Sequence, residues 1–103
     1  MITAPGLKTT KADTERYIRF IRSISCIVCG GSPVDPDHLQ HRGMGGAGKG
    51  GTATGTVLDY SCIPLCRVHH SERHSLGING FEKKYRLNLW REAFTLLRRY
   101  FLK

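Results

Sequence analysis

Four cysteines and five histidines are the residues in this chain whose types and spacing could do chemistry. All five histidines fall between His38 and His74, interleaved with Cys62 and Cys66 and preceded by Cys29. Cys26-x-x-Cys29 and Cys66-x-x-His69 form two ligand pairs with 36 residues between them. In a structural zinc site each pair grips from one turn, and the tetrahedron closes when the chain returns. Thiolate and neutral imidazole are donors that zinc favours. A competing set takes Cys62 in place of His69. Cys62 falls in a segment read as a strand, where a small thiol packs well, so His69 is the preferred ligand.

A second set lies close to the first. His70 and His74 stand four residues apart, so on a helix they share a face and can grip one ion. Asp37, beside His38, supplies a carboxylate from elsewhere in the chain. A carboxylate with two imidazoles suits Mg2+ or Mn2+, and also a softer ion such as Ni2+ or Zn2+. His69 sits about 100° from His70 around the helix, on the side of Cys66. One short helix would therefore present two different ions on two sides.

The elements that must position these residues can be read from pattern. Residues 1–12 form a basic arm carrying Pro5, Gly6 and several threonines, with no apolar core of a secretory signal. From Asp13 the pattern is helical: Tyr17, Ile18, Phe20, Ile21 and Ile24 make one face, and Asp13 or Thr14 is the expected N-cap. Arg16, Arg19 and Arg22 recur on another face, either as a solvated stripe or as contacts to a DNA backbone. Cys26 to Gly31 reads as a tight knuckle, and Ser32–Asp37 as a proline-rich turn through Pro33 and Pro36. Gly43–Gly55 holds seven of the twelve glycines, so it is expected to be a loop, with Lys49 in its middle. Val57–Leu65 is read as a strand, and Cys66–His74 as a helix stopping at Gly77. Helices over about Phe81–Arg86 and Leu89–Phe101 follow, the last capped by Asn88. Leu89, Ala93, Leu96, Leu97 and Tyr100 line its packed side, with Trp90 and Phe94 adjoining.

Composition narrows the partners. At 103 residues and 11.6 kDa the chain makes one domain, expected over 13–103, and a structural metal would supplement its small core. Sixteen Lys and Arg against eight Asp and Glu give +8 and a pI near 9.7, which favours an anionic partner such as nucleic acid. A 40% hydrophobic share is too high for a disordered basic tail. No apolar run approaches the ~18 residues of a membrane span. Reduced thiols in a cytoplasmic chain fit metal better than disulfides.

Cys26-Ile-Val-Cys29-Gly, then Asp37-His38-Leu39, a glycine-rich loop, Asp59, and Ile63-Pro-Leu-Cys66-Arg-Val-His69-His70-Ser-Glu-Arg-His74 together resemble the HNH endonuclease family. The likeness is strongest to small phage and prophage members and covers most of the chain past the arm. It implies an α+β fold with a ββα-metal (His-Me finger) core over about 26–76, stapled by a structural Zn2+. An N-terminal helix and C-terminal helices would flank that core. It further implies a DNA endonuclease in which His38 is the general base and Asp37, His70 and His74 hold a catalytic Mg2+ or Mn2+. Adjacent strand residues alternate, so Asp37 and His38 would point to opposite faces. The family's middle asparagine has no counterpart here. The matching stretch is Asp59-Tyr60-Ser61, where Asp59 either orients His38 or simply makes a turn.

On this reading Arg16, Arg19, Arg22, Lys49, Arg67 and Arg73 are the candidate DNA contacts. The setting implied is the cytoplasm of a bacterial host, with a phage or prophage origin. Cutting both strands would call for a homodimer, a second event, or phage recombination or packaging proteins. Two other classes compete: a zinc-stabilised nucleic-acid-binding module without catalysis, and a phage assembly protein. Neither gives Asp37, His38, His70 and His74 a joint purpose.

Overall fold

A computed structural model of the chain describes residues 10–39 and 57–102. The architecture is α+β: a two-stranded antiparallel sheet with helices on both sides of it in sequence. Helix α1 (Lys11–Arg22) starts earlier than the sequence pattern suggests, with Thr10 rather than Asp13 or Thr14 as its N-cap. The Asp13 N–H donates to Thr10 Oγ1 and the Thr10 N–H donates to the Asp13 carboxylate, a reciprocal box that satisfies two orphan donors. Thr14 is instead buried, and Lys11 and Ala12 belong to the helix rather than the arm.

A knuckle follows. The Gly30 N–H donates to the Cys26 carbonyl at 2.8 Å, and the Cys26 N–H to the Gly31 carbonyl at 3.0 Å. Gly30 takes φ +73°, a left-handed turn that glycine makes without steric cost.

Strand β1 (Val34–His38) occupies the stretch expected to be a proline turn. The register explains how it tolerates proline: Pro36 lies opposite Pro64 of β2 (Cys62–Cys66). Neither residue can donate, so the two fit together at a non-hydrogen-bonded pair of the ladder. The outward carbonyl of Pro64 accepts the Ile27 N–H at 3.2 Å, which ties the knuckle to the sheet.

The expected strand over Val57–Leu65 is only half strand. Val57–Ser61 is a 3₁₀ turn and β2 begins at Cys62. Ser61 decides the break, because its hydroxyl donates to the Leu58 and Leu39 carbonyls while its own carbonyl accepts the Leu39 N–H.

Helix α2 (Arg67–Tyr85) is two helical halves joined across a kink at Gly77, whose φ 73° and ψ 171° are non-helical, so helical geometry stops there as expected. The separate helix expected from Phe81 is its second half. Glu72, before the kink, accepts hydrogen bonds from Lys84 and Tyr85 beyond it, and this brace holds the two halves together. Helix α3 (Leu89–Phe101) has the expected Asn88 cap, which accepts the Arg91 N–H at 3.0 Å. Its packed side includes Leu89, Ala93 and Leu96, whereas Phe94 lies largely exposed.

The core has two parts. Ile63, Leu65, Ile78, Phe81, Leu89 and Ala93 pack together with Cys26, Val34 and Leu39. Tyr17, Ile21, Cys62 and Leu96 make a second cluster under α1 and α3. No helix among the described residues is long and apolar enough to cross a membrane.

Candidate metal centres

The knuckle and the start of α2 bring Cys26, Cys29, Cys66 and His69 together, their donor atoms within 4.8 Å of one another. Cys66 is the N-cap of α2 and His69 lies one turn on, so both side chains return to the knuckle. Cys29 Sγ is 3.8 Å from Cys66 Sγ, and His69 Nδ1 is 3.6 Å from Cys26 Sγ and 3.2 Å from Cys66 Sγ. An ion with bonds of about 2.3 Å to sulfur and 2.0–2.1 Å to nitrogen has tetrahedral edges of roughly 3.8 Å and 3.5 Å. The Cys29–Cys66 and Cys26–His69 separations match those edges, the Cys66–His69 one is shorter, and the cluster can hold a metal.

Electrostatics shows why a cation fits here. Burial opposes ionisation of Cys26, but the N–H groups of Cys66, Cys29 and Val28 outweigh it and bring the thiol down to about 6. At Cys29 the Gly31 N–H favours the thiolate, yet desolvation and the neighbouring Cys26 and Cys66 sulfurs push it above its ordinary value. Three sulfurs this close resist ionising together unless a cation sits among them.

Cys62 is not in this cluster. It is fully buried against Tyr17, Ile21 and Leu96, and desolvation pushes its thiol up strongly.

The second group joins strand to helix. Asp37 Oδ1 lies 3.3 Å from His70 Nε2 and 3.5 Å from His74 Nε2, and the two Nε2 atoms are 3.1 Å apart. Donors about 2.1 Å from one ion lie roughly 3.0–3.4 Å apart across right-angled or tetrahedral edges. Burial is the main cause that lowers the His74 pKa, assisted by Arg73 and His70 against the pull of Asp37, and the neutral imidazole is the form that ligates.

His38 belongs to neither group. Its Nε2 lies 2.6 Å from Oδ1 of Asp59, a carboxylate with 1% exposure. Alternation along β1 therefore separates the neighbours, Asp37 toward α2 and His38 toward the 3₁₀ turn. Both readings of Asp59 have a counterpart: it lies in the 3₁₀ turn, and its carboxylate meets the His38 ring.

The six candidate phosphate contacts sort themselves by partner. Arg73 is not available: it is 7% exposed, and its Nε and Nη2 donate to both oxygens of Asp37 at 2.6 and 2.7 Å. Arg67 donates to Asp35 at 2.8 Å and Arg16 to Asp13 at 2.5 Å. Arg19 and Arg22 are exposed and make no ion pair among the described residues. They line a cleft of about 340 Å³ with Glu15, Ile18 and Asp59. Lys49 and the glycine-rich stretch lie outside the described residues.

With the geometry in place, comparison with known proteins adds a family. Residues 4–98 match the family described as "Protein of unknown function (DUF968)". The chain belongs to the DUF968 family. Over 71 residues, 69% of the chain, it is 38% identical to the "Uncharacterized protein YdfU" of Escherichia coli (strain K12), and that stretch is 18% of the relative's length. No solved structure is a significant match.

Sequence reasoning passed over Asp35. Its Oδ2 lies 3.2 Å from Nδ1 of His70. Burial works against its charge, but His70 and Arg67 hold the carboxyl below its ordinary value. The signal was Asp35-x-Asp37, two carboxylates that share one face once the stretch is a strand. Gly31 was passed over as well; a Cβ there would meet Cys29 Sγ at 3.3 Å.

Proposed function

We propose that this chain is a metal-dependent endonuclease of the HNH type, hydrolysing DNA phosphodiester bonds. The observation that carries the reading is one strand with a carboxylate-held histidine, His38, on one face and Asp37 on the other, clustered with His70 and His74 of α2. Cys26, Cys29, Cys66 and His69 would hold a structural zinc that fixes the start of α2 against the knuckle. Asp37, His70 and His74 would hold a divalent ion, Mg2+ or Mn2+. An ion held there would supply Lewis-acid stabilisation of the phosphoryl and leaving 3′ oxygens.

The remaining steps fall to the chain's own groups. Asp59 fixes the His38 ring through Nε2, which leaves Nδ1 as the nitrogen that can take a proton from water. Imidazole ordinarily titrates near neutrality, which suits a general base. Arg19 and Arg22 line a cleft with the same Asp59 and, without an ion pair among the described residues, offer cations to the phosphate backbone. The +8 charge supplies affinity that is independent of sequence and falls with salt.

One observation favours a second reading, a zinc-stabilised nucleic-acid-binding module without catalysis. Arg73 already satisfies both oxygens of Asp37, so the carboxylate has a partner without any ion. Incubating supercoiled plasmid with the zinc-loaded chain, alone or with Mg2+ or Mn2+, separates the two. The nuclease nicks or linearises the plasmid only with the added ion; a binding module retards it and leaves it intact under every condition.

A further inference from the structure

His70 is held between two carboxylates. Its Nδ1 faces Asp35 Oδ2 at 3.2 Å, and its Nε2 faces Asp37 Oδ1 at 3.3 Å. A neutral imidazole carries one proton, so only one of these ends can be a donor. At the Asp37 end, Oδ1 already accepts from Arg73 at 2.7 Å, and His74 Nε2 stands 3.1 Å from His70 Nε2. Asp35 Oδ2 also accepts from an arginine, Arg67, at 2.8 Å, but among the described residues no second imidazole stands beside it, so it is the less crowded acceptor. We infer that Asp35 is the positioning residue of the second ion site: it accepts a hydrogen bond from Nδ1–H of His70, fixes the tautomer and ring, and aims the Nε2 lone pair at the ion. The inference rests on the ion site of the proposed function and deepens it.

The placement is not an accident of the surface. Asp35 and Asp37 occupy alternate positions of β1, paired with Leu65 and Ile63 of β2, so both carboxylates stand on the face covered by α2. Arg67, His70 and Arg73 recur every third residue on α2 and meet them in order. Asp35 is not itself in the group of candidate ion donors, which are Asp37, His70 and His74. It acts through His70, as the outer carboxylate acts in carboxylate–histidine–metal chains, where its removal typically costs about 10–100-fold in metal affinity. Arg67 Nε donates to the same Oδ2 at 2.8 Å and steadies the carboxylate from the solvent side. Being 83% exposed, Arg67 contributes weakly.

The test uses the zinc-loaded full chain, titrated calorimetrically with Mn2+ alone, in wild type, Asp35→Ala, Asp35→Asn and Arg67→Gln. The tautomer of His70 is read in parallel from imidazole ¹⁵N shifts without Mn2+. Asp35→Ala should keep one zinc, weaken Mn2+ by about 10–100-fold, and release His70 from the Nδ1–H form. Asp35→Asn retains an acceptor oxygen, so it should keep the Nδ1–H form and lose less affinity. Arg67→Gln should change Mn2+ binding little, which distinguishes positioning from a mere strand–helix ion pair. Equal Mn2+ affinity in wild type and Asp35→Ala, with the tautomer unchanged, would overturn the inference and leave the ion site standing. A wild-type chain that takes up no Mn2+ removes the ion site and this inference with it.

Discussion

Arg73 clasps Asp37 through both carboxylate oxygens, with the arginine 7% and the aspartate 0% exposed. A cation that composition offers to DNA is thereby committed inside the fold, next to the residue read as an ion ligand. Removing one partner of a buried pair leaves an uncompensated charge and typically costs about 3–5 kcal/mol. Arg73→Ala should lower stability by that order in urea denaturation of the zinc-loaded chain. A divalent ion at Asp37 supplies replacement positive charge, so Mn2+ should recover part of the loss. A stability unchanged by the substitution would mean that the pair is not made.

The four donors of the knuckle cluster should behave as one unit. Cys29→Ser and Cys66→Ser should each lose the bound zinc and unfold the domain, because binding free energy in such sites is folding free energy. Cys62→Ser should retain one zinc and cost only packing and a buried hydroxyl, about 1–3 kcal/mol. Metal content by mass spectrometry under native conditions reads this directly. A Cys62→Ser chain without zinc, alongside a His69→Ala chain that keeps it, would reverse the ligand choice.

Zinc retention should depend on pH through Cys26. Its folded pKa of about 6 lies below the ordinary thiol value of 9.0. A depressed acid contributes stability that is fully present above its unfolded value and is lost as pH falls through its folded one. The window therefore runs from 9.0 down to about 6. Zinc should stay bound at pH 7 and pass to a chromophoric chelator as the pH drops below that window. Release already complete at pH 7 would contradict the assignment.

Phosphate contact should separate the arginines by their partners. Each phosphate neutralised contributes about −0.9 to the slope of log affinity against log salt on duplex DNA. Replacing Arg19 and Arg22 with Gln should therefore flatten that slope by about 2, measured by fluorescence anisotropy. Arg16→Gln and Arg67→Gln should flatten it less, since Asp13 and Asp35 already hold those side chains. A slope unchanged by replacing Arg19 and Arg22 would return the α1 stripe to a solvated face.

Spacing made the chemistry of this chain legible, whereas strand register kept part of it hidden. Two x-x pairs specify the Cys26, Cys29, Cys66 and His69 cluster, because a knuckle and a helical turn impose that spacing locally. The His70 and His74 pair follows from helical periodicity in the same way, as does the Asn88 cap of α3. Proline misled the reading of residues 32–37. Pro36 is acceptable in β1 only because Pro64 lies opposite it, a relation between segments that no local pattern contains. Once that strand was missed, Asp35 lost its place beside Asp37, and Arg73 could not be seen to face it. Gly77 was rightly read as a break in helical geometry. That α2 continues beyond it depends on Glu72 reaching Lys84 and Tyr85 across the kink.

The central claim is that His38, held by Asp59, is the general base of an ion-dependent nuclease. The most direct measurement is the single-turnover rate of plasmid nicking with Mn2+ by wild type and by His38→Ala, both carrying one zinc and both shown to bind Mn2+ and duplex equally. Loss of a general base costs about 10²–10⁴-fold, and a loss of that size with both affinities unchanged is the expected result. A His38→Ala chain that nicks at more than half the wild-type rate would contradict the account.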